Sequence, residues 1–275
     1  MNDKSSRTDN SDAAQAPRVP PRWTKRSLIL RLIVVAVTIP ILVWSYRGAE
    51  MDPADLVKHA DNLYEYARGF TRPDFAYWRV ILREMTVTVQ IAICGSFAAV
   101  VLAVPCSLMS ASNLAPAWLR QPFRRIMDLL RSVHAMIFAL FFITTVGMGP
   151  FAGVLAIFAN TLGNLAKLFS EATEAIDSRP VEGIRATGAN RLQQIGFGVI
   201  PQVVPLWISY SLYRFESNVR SASVLGLVGA GGIGFVLWEA IRGFRYSKTA
   251  AIVLVIVATV SVLDFFSAWI RKRFI

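Results

Sequence analysis

Long apolar runs recur along the chain, separated by shorter polar, charged or glycine-rich segments. Windows of about 20 residues with almost no charge are long enough to cross a bilayer as a helix. The pattern therefore predicts an all-α polytopic membrane protein with six transmembrane helices. The predicted spans cover approximately residues 28–46, 86–109, 133–148, 151–169, 199–219 and 249–270.

The segments between the spans predict a simple organisation. Residues 1–27 are rich in Ser, Asp, Asn and Pro and indicate a disordered tail. Residues 47–83 form a mixed-charge external loop, within which 55–68 could form an interfacial helix. Residues 84–270 hold a core of five spans, with a basic loop at 110–131, and 271–275 form a basic end.

Charge orients the predicted spans. The chain has 29 Lys and Arg against 18 Asp and Glu, a net charge of +11. Cytoplasmic loops of membrane proteins collect Lys and Arg, and this bias is satisfied when both termini are cytoplasmic. No basic patch interleaved with aromatic residues accompanies the charge, so membrane lipid is the expected neighbour and nucleic acid is not.

A formal G-x-G-x-x-G pattern occupies residues 229–234. A dinucleotide-binding fingerprint needs a preceding strand, a following helix and an acid about 20 residues on, but Leu254 stands there inside a span. The alternative is that these glycines let backbones approach closely or bend outside the fifth span, as part of a gate.

Other catalytic or metal-binding patterns are missing from the sequence. There is no nucleotide-binding G-x4-G-K-[ST] loop. His59 and His134 do not have metal-ligand spacing, and Cys94 and Cys106 lie in one apolar stretch. The sequence thus favours a transporter, channel or transport subunit over an enzyme, and predicts no metal and no cofactor in this chain.

The segment between the fourth and fifth spans predicts a short helix, a glycine turn and a second helical piece. Pro180 suits a first helical turn, and Glu182 suits the positive N-terminal end of a helix. Gly188 can end that helix in the left-handed conformation, and Pro201 opens the fifth span. On the predicted cytoplasmic side, this segment is either a docking knob or an ordinary loop.

Arg214, Glu216 and Arg220 lie in or next to the fifth span. Glu216 and Arg220 have the i, i+4 spacing of a helical ion pair, with the acid N-terminal. Charges within a span are also typical of a substrate path. Both interpretations remain open at this point, whereas Glu239 and Asp264 are expected to be interfacial or packing residues.

Two motifs resemble known transport permeases. Glu182, Gly188 and Pro201 match the E-A-A-x3-G-x9-I-x-L-P pattern of ABC-importer permeases, although its two alanines, its Ile and its Leu are replaced by Gly183, Ile184, Gly198 and Ile200. Residues 213–234 are similar to the signature of phosphonate-importer permeases. The resemblance covers about residues 80–275.

This resemblance implies a type I ABC-importer permease core in the bacterial inner membrane. Glu182, Gly188 and Pro201 would belong to a coupling helix that contacts a cytoplasmic ATPase dimer carrying ATP and Mg. Arg214, Glu216, Arg220, Gly229, Gly231 and Gly232 would line the path or its gate. The resemblance also implies a homodimer, with the path between two copies of the chain, and an external substrate-binding protein.

The expected substrate is a small phosphorus oxyanion such as a phosphonate, phosphite or phosphate. Its charge could be compensated along the outer half of the path by Arg214, Arg220, Arg242 and Arg245, and also by exposed backbone amides. The alternative is another small solute such as methionine, which needs a basic path less.

Overall fold

The computed structural model describes residues 25–49, 54, 58 and 60–274. The predicted tail lies almost entirely outside these residues, and so do most of residues 50–59 and residue 275. The helices are α1 (Lys25–Gly48), α2 (Ala60–Thr71), α3 (Trp78–Ser110), α4 (Ala117–Ser132), α5 (Ala135–Val146), α6 (Pro150–Glu174), α7 (Ser178–Ala186), α8 (Arg191–Gln194), α9 (Ile200–Leu225), α10 (Ile233–Arg242) and α11 (Tyr246–Phe274).

The chain divides into two compact units, residues 1–61 and 62–275. In the first unit, α1 contains the apolar window Arg31–Gly48, in which no side chain is buried. A helix that is apolar on all sides suits a hydrocarbon environment. This helix agrees with the predicted first span.

Four further stretches in the second unit are long and apolar enough to cross a membrane: Trp78–Ser110, Pro150–Glu174, Arg191–Val228 and Tyr246–Arg273. With α1 they make five candidates. A sixth exists only if α4 and α5, which are bent by 92° relative to each other, are counted together. The described residues form helices and turns, with no strand among them.

The region 110–148 differs from the prediction. The expected basic loop is instead the amphipathic helix α4, which buries Met127 and spaces Arg120, Arg124 and Arg131 along its polar side. The expected third span is α5, whose 12 residues extend only about 18 Å against a hydrocarbon thickness of about 30 Å. Because the segment is rich in arginine, its sequence predicts a loop, although its apolar residues form one face of a helix.

Close helix packing builds the core of the second unit around α3, α6 and α9. Small residues allow this approach: a Cβ at Gly95 would lie 2.8 Å from Ile157, and one at Gly163 would lie 2.7 Å from the backbone nitrogen of Arg131. Near one end, the rings of Phe169 and Trp207 stack with centroids 5.0 Å apart. The core therefore places α9 against both α3 and α6.

Candidate functional site

Residues 177–201, here called the helical knob, connect α6 to α9. Asp177 is the N-cap of α7 and accepts a hydrogen bond of 3.0 Å from the backbone N–H of Arg179. The Arg179 guanidinium also donates to its carboxylate, at 2.7 Å. These hydrogen bonds hold the pKa of Asp177 below its ordinary value. Pro180 lies in the first turn of α7, as predicted.

Gly188 lies in the turn that follows the end of α7. Its φ of +81° is in the left-handed region, and its N–H donates to the Arg185 carbonyl at 3.1 Å. Asn190 and Gln193 then form a capping box that starts α8. A Cβ at residue 188 would meet no atom within 4 Å, so the backbone angle and not space favours glycine here.

The two ends of the knob are held together by Gln202. Its side chain accepts from the Asp177 N–H at 3.2 Å and donates to the Gly198 carbonyl at 2.6 Å. Gly198 in turn packs closely against Val181 of α7. Pro201 follows a π-helical turn at Ile195–Val199 and begins α9, with its ring exposed.

The knob is fixed to the loop that follows α3. Glu174, at the end of α6, accepts from the Ser112 N–H at 2.7 Å and pairs with Arg124 of α4. Arg191 of α8 donates to the Leu114 carbonyl. The end of α6 and α8 of the knob are therefore both bonded to the loop that joins α3 to α4, and Glu174 also bonds to α4.

A cavity of about 580 Å³ opens between the knob and this loop. Glu182 lies exposed on its wall, and Glu174, Arg185 and Arg191 provide further charge. The lining residues are Asn113, Leu114, Glu174, Ile176, Ser178, Val181, Glu182, Arg185, Arg191, Gln194, Ile195 and Val199. The concave, charged shape is suited to receiving part of another protein.

Arg214 lies on α9 within a membrane-spanning stretch. Its Nη2 donates to Asn160 Oδ1 at 3.2 Å, and the Asn160 amide donates to the Val133 carbonyl at 2.9 Å. Its Nε is buried without a hydrogen-bond partner. No carboxylate pairs with Arg214 among the residues that the structure describes, so its charge is uncompensated there.

The Glu216–Arg220 ion pair, one of the two interpretations that the spacing left open, is not formed. Glu216, which is buried, instead pairs with Arg271 at 2.9 Å, and Arg220 pairs with Asp264 at 3.3 Å. Both partners lie on α11, because α9 packs against that helix and the tertiary contacts replace the local one. The pairs compensate both acids and leave Arg214 as the unmatched cation of this group.

The predicted glycine gate residues form a tight turn between α9 and α10. Gly229, Gly231 and Gly232 all have positive φ, at 99°, 76° and 77°. The Gly229 carbonyl accepts from the Gly149 N–H at 3.0 Å, and a Cβ at residue 231 would lie 3.0 Å from the Pro150 ring. These glycines let the turn between α9 and α10 pack closely against the turn at Gly149 and Pro150, which lies between α5 and α6.

The same turn is joined to α3. The Thr88 hydroxyl accepts a hydrogen bond of 2.8 Å from the Ile233 N–H, the first of α10, and Gly232 leaves room for it. A short 3-10 turn, Gly226–Val228, precedes the motif where a dinucleotide site needs a strand. The dinucleotide interpretation is therefore wrong, and the motif is a close backbone contact.

The chain is similar in sequence to a known family of membrane transport proteins. Residues 103–275 match the family model described as Binding-protein-dependent transport system inner membrane component. The chain belongs to this family. The permease is thus a multi-pass inner-membrane transport subunit, not an enzyme, and it works with a substrate-binding protein and an ATPase.

Relatives of the permease sharpen the comparison. It is 36% identical over 243 residues, 88% of each chain, to the phosphite transport system permease protein PtxC of Stutzerimonas stutzeri. It is 66% identical over 122 residues to a putative cryptic phosphonate transport system permease protein, PhnE2, of Escherichia coli K12, covering 44% of this chain and all of that one.

Solved structures confirm the type I ABC-importer permease fold. The inward-facing MetNI methionine ABC transporter aligns with a TM-score of 0.65 at 19% identity, over 74% of the permease and 99% of that chain. A bacterial alginate ABC transporter aligns with a TM-score of 0.57 at 14% identity, over 90% and 98%. At such identities the likeness concerns the fold alone.

Sequence reasoning missed several polar side chains that connect the permease helices. Asn218 of α9 donates to Ser96 of α3 at 2.8 Å and accepts from Thr161 of α6 at 3.1 Å. Asn160 and Thr88 were also passed over. Each lies within one of the predicted spans, and a polar side chain inside a span was the available signal.

Proposed function

We propose that the permease forms the translocation path for a small phosphorus oxyanion, namely a phosphonate, phosphite or phosphate. The similarity to a phosphite permease along 88% of the chain carries this proposal. A phosphate-import permease protein of Mycolicibacterium smegmatis, 36% identical over 189 residues, adds the third member of the same chemical group. All three anions present several oxygens around phosphorus.

Arg214 supports the same substrate class. An anion that enters a low-dielectric region needs positive charge or hydrogen-bond donors to replace its water. Arg214 is unpaired among the described residues, and Asn160 steadies one of its two terminal nitrogens. Glu216 and Arg220 are held in ion pairs, so on this proposal they shape the path and Arg214 meets the anion.

The helical knob is proposed to be the coupling helix. Glu182 would face the ATPase, Gly188 would set the turn that presents it, and Pro201 would start the lever formed by α9. The network around Glu174 and Arg191 supports this role, since it would pass movement of the knob to α3 and α4. ATP and Mg would be bound by the ATPase.

The assembly is proposed to contain two permease subunits, either two copies or a pair of related chains, with the path between them. Both termini and the helical knob would face the cytoplasm, consistent with the distribution of Lys and Arg. The turn formed by Gly229, Gly231 and Gly232 would then lie toward the outer side and act in the gate.

Uptake in cells that carry all subunits tests the substrate. Labelled phosphite or phosphonate uptake should be competed by phosphonates and not by methionine. Arg214→Gln should lower uptake at least about tenfold, because one charge within a span is removed where water is scarce. Arg79→Gln, which removes an exposed charge beside Trp78, is the matched control. Competition by methionine alone would refute the oxyanion.

A further inference from the structure

A second cavity lies at the opposite end of α3 from the helical knob. It has a volume of about 630 Å³ and is formed by the end of α2, the loop that leads into α3, and the turn between α10 and α11. Its lining residues are Glu65, Arg68, Gly69, Arg72, Asp74, Tyr77, Phe244, Arg245, Tyr246, Ser247 and Lys248. This cavity is here called the basic groove.

The basic groove is positively charged. It is lined by four cationic and two acidic side chains: Arg68, Arg72, Arg245, Lys248, Glu65 and Asp74. One acid is already engaged, since Asp74 accepts a hydrogen bond of 2.8 Å from the Ala76 N–H. Among the described residues 60–274, which include the whole groove, none of the three arginines has an ion-pair partner.

The walls of the groove are held together before any ligand arrives. Gly69 of α2 packs so closely on Tyr246 that a Cβ there would lie 2.9 Å from its carbonyl carbon. The Tyr66 and Tyr246 rings meet edge to face at 5.2 Å. The Asp74 N–H donates to the Ser247 carbonyl at 3.0 Å. Binding would therefore need little ordering of the backbone.

The location of the groove adds a second line of argument. Tyr77 and Phe244 line it with exposed aromatic side chains, and the segments that form it also expose Tyr64, Phe75 and Trp78. Tyr and Trp gather where the hydrocarbon meets the headgroup region of a bilayer. Two candidate spans, Trp78–Ser110 and Tyr246–Arg273, also begin at the groove, which is the position expected for a membrane interface, where phosphate groups are abundant.

We propose that the basic groove binds the phosphate group of a phosphorus oxyanion at this interface. Arginine provides planar, paired N–H donors that match phosphate oxygens, and three arginines beside one lysine can surround several oxygens at once. The group can come from the headgroup of an anionic phospholipid or from a free phosphate or phosphonate. The recognition chemistry is the same for both.

The test uses the full chain in nanodiscs and two double variants. Arg72→Gln with Arg245→Gln removes two charges from the groove, whereas Arg79→Gln with Arg83→Gln removes two exposed charges nearby that do not line it. In one arm, native mass spectrometry measures retained phosphatidylglycerol against phosphatidylcholine. In the other, inorganic phosphate or methylphosphonate is titrated in phosphatidylcholine nanodiscs.

The groove variant should lose about tenfold in one or both arms, as expected for two arginines near a membrane surface, and the control variant should not. Loss in both arms identifies a phosphate site that accepts either source. Loss confined to phosphatidylglycerol identifies a lipid headgroup, and loss confined to phosphate or methylphosphonate identifies the free anion. An unchanged groove variant in both arms, or equal loss in the control, overturns the proposal. Since neither arm measures transport, the result is independent of the proposed import function.

Discussion

The helical knob precedes α9 and the glycine turn follows it, yet the two connections are built differently. In the knob, most hydrogen bonds join residues two to five apart, as between Asp177 and Arg179 or Asn190 and Gln193. In the glycine turn, the contacts join distant segments: Gly149 to Gly229, and Thr88 to Ile233.

This difference separates a module that folds locally from a contact that only the assembled helices create. The knob presents exposed side chains and leaves space around Gly183 and Gly188. The turn leaves no space around Gly226 or Gly232. We therefore expect substitutions in the knob to affect coupling first, and substitutions in the turn to affect folding first.

The largest expected effect is at Gly226. Gly226→Ala places a Cβ 2.7 Å from the Gly234 Cα and 2.8 Å from the Gly231 carbonyl oxygen, and backbone atoms cannot move aside. Stability should fall by roughly 3 kcal/mol or more, at the upper end for overpacking. Thermal unfolding of the purified permease in detergent measures this loss.

The control is Gly183→Ala on the exposed side of α7, where a Cβ meets nothing within 4 Å. Alanine there should be neutral or should stabilise by up to about 1 kcal/mol, as in other helix interiors. Equal stability of the two variants would contradict the contrast between turn and knob.

The next effect is functional and concerns the knob. Glu182→Lys and Gly188→Val should each reduce transport and coupled ATPase activity about tenfold or more, while membrane insertion of the permease stays intact. Lysine reverses a charge near a helix N-terminus, and valine resists a φ of +81°. Assays of the reconstituted complex measure both activities.

Gly188→Asn is the matched variant, because asparagine enters the left-handed region more readily than other residues with a side chain. It should retain much more activity than Gly188→Val. If Glu182→Lys and Gly188→Val both import substrate at the normal rate, the knob has no coupling role.

A smaller effect is expected where three helices share one amide. Asn218→Ala removes the hydrogen bonds to Ser96 and Thr161 and should destabilise the permease by about 1 kcal/mol, typical of polar contacts between membrane helices. Ser211→Ala on the same helix removes only a local bond to the Trp207 carbonyl. The free energy of unfolding in denaturant should be clearly lower for Asn218→Ala than for Ser211→Ala. The reverse order would contradict a stabilising role for the hydrogen bonds between α9, α3 and α6.

The smallest effect is expected at the N-cap of the knob. The hydrogen bonds from Arg179 lower the pKa of the Asp177 carboxyl group from its ordinary 3.8. The stability that the ionised carboxylate gives to the N-cap is therefore fully present above pH 3.8 and is lost as the pH falls through the lowered pKa. Protection of the Arg179 amide in hydrogen exchange should therefore not change between about pH 5 and 8. The Asp177→Asn variant should keep most of the protection of the Arg179 amide, since asparagine also caps helices. Protection that varies across this range would contradict the assignment.

Much of this architecture could be predicted from the order of residues. Apolar runs identified α1, α3, α6, α9 and α11, because length and hydropathy are properties of the segment itself. Pro180, Gly188 and Pro201 marked the boundaries of the knob for the same reason: caps and positive φ are decided by the few residues around them.

Tertiary structure alone decided which groups meet. Glu216 and Arg220 were correctly spaced for each other, yet both pair with α11, and Arg214 is left with Asn160. The amphipathic α4 and the basic groove likewise depend on faces that pack from distant parts of the chain. Helical periodicity predicts which face of its helix a residue occupies. The partner that it contacts 44 or 55 residues away depends on how the helices pack together.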